Sequence, residues 1–252
     1  MKRLDNKVAI VTGAGRGLGR AIAKCFAAEG AKVAVLSLTA ANAQQTASEI
    51  DASGGTAISI TCDVGNEPSI KRAIQEVNER FGDIDILVNN AFEFSTAMSS
   101  VVDLQLATLQ RQFDTGPIAC LRFMQACYPY LKDRDGRVIN LASALGVEGA
   151  AGWAPYAMAK EAIRALTRVA AREWGAQKIT VNNIMPIALT DSAIEAVKSI
   201  DAAAVPHPPI PRFGSPEEDV APVALFLASK DSQFMTGYSF FVDGGYAIDS
   251  AR

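Results

Sequence analysis

Ser143, Tyr156 and Lys160 are the residues of this 252-residue chain whose types and spacing could do chemistry together. In Tyr156-Ala157-Met158-Ala159-Lys160 a phenol and an ammonium stand four residues apart, on one face of a helix and one turn from each other. A free phenol titrates near pH ~10 and is a poor proton donor or acceptor at neutral pH. A unit charge at ~4 Å in an effective dielectric near 20 is worth roughly 4 kcal/mol, about three pKa units, before desolvation pulls the other way. The spacing therefore predicts that Lys160 brings Tyr156 toward neutrality. Ser143, just beyond the apolar run Val138-Ile139-Asn140-Leu141, adds a hydroxyl that can donate one hydrogen bond.

These groups need a helix to hold them. Pro155 precedes the run, and Tyr156 to Trp174 is alanine-rich, with apolar residues at Ala159, Ala162, Ile163, Leu166, Val169 and Ala170. Gly175 is the expected stop. An isolated Tyr-x-x-x-Lys is common by chance, so what decides its meaning is the other end of the chain. There Val8-Ala9-Ile10-Val11, a buried-strand run, enters Thr12-Gly13-Ala14-Gly15-Arg16-Gly17-Leu18-Gly19, and Leu18 to Ala28 has helical periodicity. In this strand-turn-helix unit Gly13 makes the tight turn. Gly17 lets backbone amides approach a diphosphate, Gly19 lets helix and strand pack, and the helix N-terminus faces the phosphate charge.

With these motifs in order, the chain resembles the classical short-chain dehydrogenase/reductase family over essentially its whole length. Thr12 to Gly19 fits that family's glycine turn, Cys62-Asp63-Val64 its adenine-contacting segment, and Asn89-Asn90-Ala91 its fourth-strand element. Ser143, Tyr156 and Lys160 fall on its catalytic positions, Pro186 and Thr190 on the turn after the sixth strand, and Thr236-Gly237 with Val242-Asp243-Gly244-Gly245 on the C-terminal strand. The resemblance implies hydride transfer between a nicotinamide and a ketone or secondary alcohol. Negative charge then builds on the carbonyl oxygen, where Ser143 donates a hydrogen bond and Tyr156 a proton, while Lys160 tunes Tyr156 and binds the nicotinamide ribose. It also implies cofactor contacts at Gly13, Arg16, Gly17, Leu18, Gly19, Ser37, Leu38, Thr39, Asp63, Val64, Asn90, Ala91, Tyr156, Lys160, Pro186 and Thr190.

Three residues depart from the family pattern. Gly116, in Phe113-Asp114-Thr115-Gly116, stands where an asparagine usually completes a proton relay; Phe92 follows Asn89-Asn90-Ala91 where glycine is usual; and Ile187 follows Pro186 where glycine is usual. The loss at Gly116 leaves a second reading open, a dinucleotide-binding sensor or scaffold with little catalysis. Retention of Ser143, Tyr156 and Lys160 argues against it, because a pure binder needs no perturbed phenol.

The second strand ends at Ser37, followed by Leu38 and Thr39, with no carboxylate to bind a ribose 2′-hydroxyl or repel a 2′-phosphate. With Arg16 able to reach that phosphate, NADP(H) is the expected cofactor, NAD(H) the alternative. Phe94, Leu145, Trp153 and Ile187 are the expected pocket lining, which suits an apolar ligand such as a carbonyl compound or, as a narrower option, a 3-oxoacyl thioester.

The elements that must position all this read as one α/β domain spanning 1–252. Strand runs at Val8 to Val11, Val33 to Leu36, Thr56 to Ile60, Ile84 to Val88, Arg137 to Leu141, Ile179 to Ile184 and Ser239 to Val242 alternate with helical stretches. They predict a Rossmann-like, doubly wound, seven-stranded parallel sheet with helices on both faces. The proline-rich stretch 187–216 has little strand pattern and follows the sixth strand; we expect a substrate lid there, with a short helix around Asp191 to Lys198. Cys25, Cys62, Cys120 and Cys127 have no C-x-x-C pairing, and His207 is the only histidine, so buried thiols are expected and no metal. A net charge of −3 argues against a nucleic-acid face, and no apolar run approaches the ~20 residues that span a bilayer, so a cytoplasmic protein is expected. Apolar surface on Leu104 to Leu131 and on the Tyr156 helix suggests a homotetramer or homodimer.

Overall fold

The structure is a computed structural model and describes residues 2–94, 98–190 and 208–248. Short apolar strands joined by helix-length segments close as right-handed crossovers onto a parallel sheet. Seven strands do so: β1 (Val8–Thr12), β2 (Lys32–Ser37), β3 (Thr56–Thr61), β4 (Ile86–Asn89), β5 (Arg137–Leu141), β6 (Thr180–Pro186) and β7 (Ser239–Val242). All pairs are parallel, in the order β3-β2-β1-β4-β5-β6-β7. The winding reverses between β1 and β4, which opens a crevice at the C-terminal ends of these strands.

Eight α-helices are described: α1 (Gly17–Ala28), α2 (Ala40–Ala52), α3 (Glu67–Phe81), α4 (Leu106–Thr115), α5 (Pro117–Leu131), α6 (Ala144–Glu148), α7 (Ala154–Trp174) and α8 (Ala221–Ala228). Alternation along β1 divides the core. Ala9 and Val11 pack with Phe26 of α1 and Leu225 of α8 on one face, while Val8 and Ile10 pack with Ile70 of α3, Phe123 of α5 and Ala170 of α7 on the other. Both faces are covered, which is why the strands read as continuous apolar runs.

Several strand limits differ from expectation by one or two residues. β4 starts at Ile86 rather than Ile84, although the Asp85 backbone N–H still donates to Val8 O (3.0 Å) and its carbonyl accepts from Arg137 N–H (2.9 Å), while its carboxylate accepts from Lys7 Nζ (2.8 Å) and from the Val8 backbone N–H (3.0 Å). Gly175 is not a left-handed stop. Its φ of −58° is helical, the chain runs on through a 3-10 turn over Gly175–Gln177, and Lys178 at φ 61° makes the reversal.

α7 is pinned to the sheet by a polar row. Register places Asn89, Asn140, Asn183 and Ser239 side by side on β4 to β7. Asn89 Nδ2 donates to Asn140 Oδ1 (2.8 Å), Asn140 Nδ2 to Thr167 Oγ1 (2.8 Å), the Thr167 hydroxyl to Asn183 Oδ1 (2.7 Å), and Asn183 Nδ2 to Ser239 Oγ (3.2 Å). Arg164 Nε also reaches Ser239 Oγ (3.3 Å). Tyr156, Lys160, Arg164 and Thr167 follow a 4-4-3 spacing, so the face of α7 that grips the sheet also carries the tyrosine and the lysine.

Of the expected lid, 187–190 and 208–216 are described; the helix expected at 191–198, and His207, lie outside the described residues. The two described ends meet. Gly214 N donates to Ile187 O (3.0 Å), Leu189 N donates to Gly214 O (2.8 Å), and Ala188 bridges Gly214. Cys62, Cys120 and Cys127 are buried, Cys25 is half-buried, and all four are free thiols. Among the described residues no helix is long and apolar enough to cross a membrane.

Candidate active site

The glycine turn leaves β1 and enters α1 with Gly13 at φ 62° and Gly17 at φ 54°, both left-handed. β4 locks it. Asn90 Nδ2 donates to Thr12 O (2.9 Å) and Gly13 O (3.2 Å), while Thr12 Oγ1 accepts from the backbone N–H of Asn90 (2.9 Å) and Ala91 (3.0 Å). A Cβ on Gly13 would lie 2.9 Å from Asn90 Nδ2 and from Ala91 Cα, and one on Gly19 only 2.5 Å from Asn90 Nδ2 and Gly13 O. Gly19 is thus demanded by the close approach of the Gly13 backbone as much as by the Asn90 amide, whose side chain shapes the turn.

These residues fit a dinucleotide. Arg16, the residue before α1, is extended and offers no side-chain cap, so the first-turn amides and the positive end of the helix dipole face the concave side of the turn. Thr190 is brought over it, its Cβ and Cγ2 3.7 and 3.6 Å from where a Cβ on Gly17 would stand. On the adenosine side Ser37 lies against Gly15, whose Cβ would be 2.8 Å from Ser37 Oγ, and Leu38 is exposed. Thr39 N donates to Ser37 Oγ (3.3 Å). Asp63 follows β3, and its carboxylate accepts from Gly65 N (2.9 Å), forming its own turn; Val64 packs into the core beside Cys62.

The three chemical groups converge at the end of β5. Ser143 precedes α6, and its hydroxyl accepts from Leu145 N (3.3 Å) and stands near enough to the Tyr156 phenol to lower its pKa. Lys160 is buried, and its ammonium donates to Leu141 O (2.8 Å). Around them stands an aromatic wall. The rings of Phe94 and Trp153 stack at 5.5 Å, and Phe92 and Phe94 each meet the Tyr156 ring edge-on at 5.4 Å. Leu145 joins through Ser143, whereas Ile187 stands at the end of β6, its N–H bonded to Val242 O (2.9 Å).

The electrostatics correct one expectation. Burial pushes the Tyr156 phenol above its ordinary value, and the nearby Ser143 hydroxyl pulls it back. Lys160 does not bring it toward neutrality. Its ammonium sits 4.3 Å from the Phe92 ring centroid and 5.6 Å from that of Tyr156, so it meets ring faces, and the aromatic wall that desolvates the phenol outweighs a charge so placed. The same burial lowers Lys160 to about 8; the nearby Cys120 thiol is itself pushed up to about 12 and stays neutral. The constellation can therefore hold a protonated phenol beside an oxygen that is gaining charge.

The comparisons with known proteins agree with this geometry. A family model described as enoyl-(acyl carrier protein) reductase matches residues 13–247. A 12alpha-hydroxysteroid dehydrogenase from a Clostridium species is 38% identical, covering 96% of each chain. This chain belongs to the short-chain dehydrogenase/reductase family. Another relative with that architecture is a 3-oxoacyl-[acyl-carrier-protein] reductase from Synechocystis, 34% identical over 98% of this chain and all of its own. The solved structure of a 7 alpha-hydroxysteroid dehydrogenase complexed with NADH and 7-oxo glycochenodeoxycholic acid superposes with a TM-score of 0.88 at 32% identity, covering 97% of this chain and 95% of that one. As a short-chain dehydrogenase/reductase, the protein is a nicotinamide-dependent oxidoreductase acting between CH–OH and C=O.

Sequence reasoning missed the positioning residues Asn140, Thr167 and Asn183. Asparagines inside otherwise apolar buried strands were the available signal, since a buried amide has to find partners.

Proposed function

We propose that this chain reduces an apolar ketone to a secondary alcohol, or runs the reverse, with NADP(H) preferred over NAD(H). Gly13, Gly17, Leu18, Gly19 and Thr190 hold the diphosphate, Arg16, Ser37, Leu38 and Thr39 meet the adenosine ribose, and Asp63 and Val64 the adenine. Asn90 and Ala91 shape the turn, and Pro186 and Lys160 take the nicotinamide end. When bound, the nicotinamide supplies or accepts the hydride. Ser143 donates a hydrogen bond to the substrate oxygen, Tyr156 gives that oxygen its proton, and Lys160 keeps positive charge near the phenol as it ionises.

The observation that carries this reading is the convergence of Ser143, Tyr156 and the buried Lys160 ammonium, one turn along, beyond the C-terminal end of β5, on the side of the sheet where the strand order reverses. An apolar substrate is supported by the Phe94–Trp153 stack beside the phenol, and among relatives by proteins named for hydroxysteroids. Preference for NADP(H) is supported by Ser37 where a carboxylate would discriminate against a 2′-phosphate. Exposed Leu106, Leu121, Met158 and Val169 on α4, α5 and α7 support a homotetramer or homodimer, and the mass in solution measures it. We place the protein in the cytoplasm.

The test follows absorbance of reduced nicotinamide with a 12-oxo and a 7-oxo bile acid, acetoacetyl-N-acetylcysteamine and simple ketoses. Tyr156→Phe should cut turnover at least ~100-fold while NADPH binding, read by fluorescence, stays within about twofold. Retained turnover in that variant would remove the proposed acid. Silence of the wild type across the panel with tight NADPH binding would favour a sensor.

A further inference from the structure

Phe92 and Gly116 are 24 positions apart in sequence and touch in space. Gly116 joins α4 to α5 at φ −102° and ψ −105°, outside the helical and strand regions, so its backbone already favours a residue without a Cβ. Space favours one too. A Cβ there would lie 2.8 Å from Phe92 Cε2, 3.1 Å from Phe92 Cδ2 and 2.6 Å from the Gln112 carbonyl oxygen. The Phe92 ring occupies the volume that a side chain at 116 would need.

The use of that ring lies on its other side. Lys160 has three N–H donors, one of which goes to Leu141 O. The Lys160 ammonium lies 4.3 Å from the Phe92 centroid, well inside the ~6 Å range of a cation–π contact, and the ring edge-packs on Tyr156 at 87°. We propose that Phe92 is a positioning residue that holds the buried Lys160 cation by its ring face, and that Gly116 exists to house it, the two forming one matched pair. This rests on the proposed acid role of Tyr156 only for its link to turnover; the contact between ring and ammonium stands apart from it.

The groups that face Lys160 are few. On its own helix it meets Tyr156, from α5 the Cys120 thiol, and from β5 the Leu141 carbonyl. Charged groups on the neighbouring elements are engaged elsewhere: Arg111 of α4 with Glu93, Asp114 of α4 with Gln110, Glu148 of α6 with Tyr246, and Arg164 of α7 with Glu161. The Leu141 carbonyl and the Phe92 ring face are thus the two contacts that compensate a cation that burial disfavours.

The test follows the Lys160 13Cε resonance against pH in 13C-lysine-labelled full-length protein, with mono-, di- and trifluorophenylalanine and then leucine at position 92. Fluorination drains the ring face with little change of shape. The Lys160 midpoint should fall stepwise, by roughly one pH unit in total for Phe92→Leu. A midpoint that stays in place along the series overturns the proposal, whatever happens to activity. In parallel, melting temperatures of Phe92→Ala, Gly116→Ala and the double variant test the pairing. The double should lose clearly less than the two single losses added, the Gln112 carbonyl contact accounting for what remains. Additive losses overturn it. Tyr156→Phe turnover is scored separately, so failure of the acid role and failure of the matched pair are read from different experiments.

Discussion

Replacing Thr167 with valine keeps the shape of the side chain and removes one hydroxyl, so its cost isolates the polar row that fastens α7. The hydroxyl accepts from Asn140 Nδ2 at 2.8 Å and donates to Asn183 Oδ1 at 2.7 Å, and all three side chains are essentially inaccessible to water. In Thr167→Val both amides lose a partner in the core, each at a cost of roughly 1–3 kcal/mol. A total of about 3 kcal/mol is a large share of the ~5–15 kcal/mol that holds a typical protein folded. In a chain of this length it lowers Tm by roughly 6–12 °C. Thr167→Ser keeps both hydrogen bonds and loses a methyl group, for about 1 kcal/mol. Urea unfolding and thermal melts at one fixed protein concentration measure both variants. A valine variant within 1 kcal/mol of wild type, or a serine variant as damaged as the valine one, refutes the reasoning that the row is an energetic fastening rather than incidental contact.

Further outcomes follow from the site. Because Lys160 is lowered to about 8, its folded-state cation is lost as pH rises through that value, so kcat/KM for ketone reduction should fall above about pH 8 with a single ionisation. A flat profile to pH 10 would contradict that. By linkage, the same depressed value means that burying the cation costs stability below it; the cost lessens from about pH 8 upward and is gone above the ordinary value of 10.5. Arg16→Glu should raise the KM for NADPH at least ~10-fold and leave that for NADH within about twofold, and equal effects would reassign Arg16 to solvent. Gly19→Ala forces a Cβ to 2.5 Å from Asn90 Nδ2 and Gly13 O, so stability should fall by about 1–3 kcal/mol with a matching loss of dinucleotide affinity in calorimetry.

Much of the fold is legible in the sequence because the central strands are buried on both faces and so are predominantly apolar; Arg137–Leu141 and the half-buried Ser239–Val242 coincide with their expected limits. The exceptions are local. β4 begins at Ile86 although Asp85 still bonds Val8 and Arg137 through its backbone, and Gly175 stays helical because Lys178 makes the turn. The placing of Tyr156 and Lys160 on one helix face and the strand-turn-helix form of Thr12 to Gly19 are legible from spacing, since each lies on a single continuous segment, while the grouping with Ser143 comes from the family resemblance. What spacing does not contain is the third dimension. The direction in which Tyr156 is perturbed depends on Phe92, Phe94 and Trp153 packing around it from two separate loops. The asparagine row depends on strand register, and the fit of Phe92 against Gly116 on how the loop after β4 meets the α4–α5 junction.

The latch of Asn90 and Thr12 on the glycine turn has a consequence for how coenzyme choice could change. Since those side chains bind backbone, the turn proposed to seat the two phosphates is already fixed by its own contacts, and on that proposal little binding free energy is diverted to ordering it. In the proposed function, discrimination between the two coenzymes falls to a separate patch, Arg16 with Ser37 to Thr39, that takes no part in the latch. A few substitutions there could reverse the preference while the anchor for the rest of the molecule stays untouched.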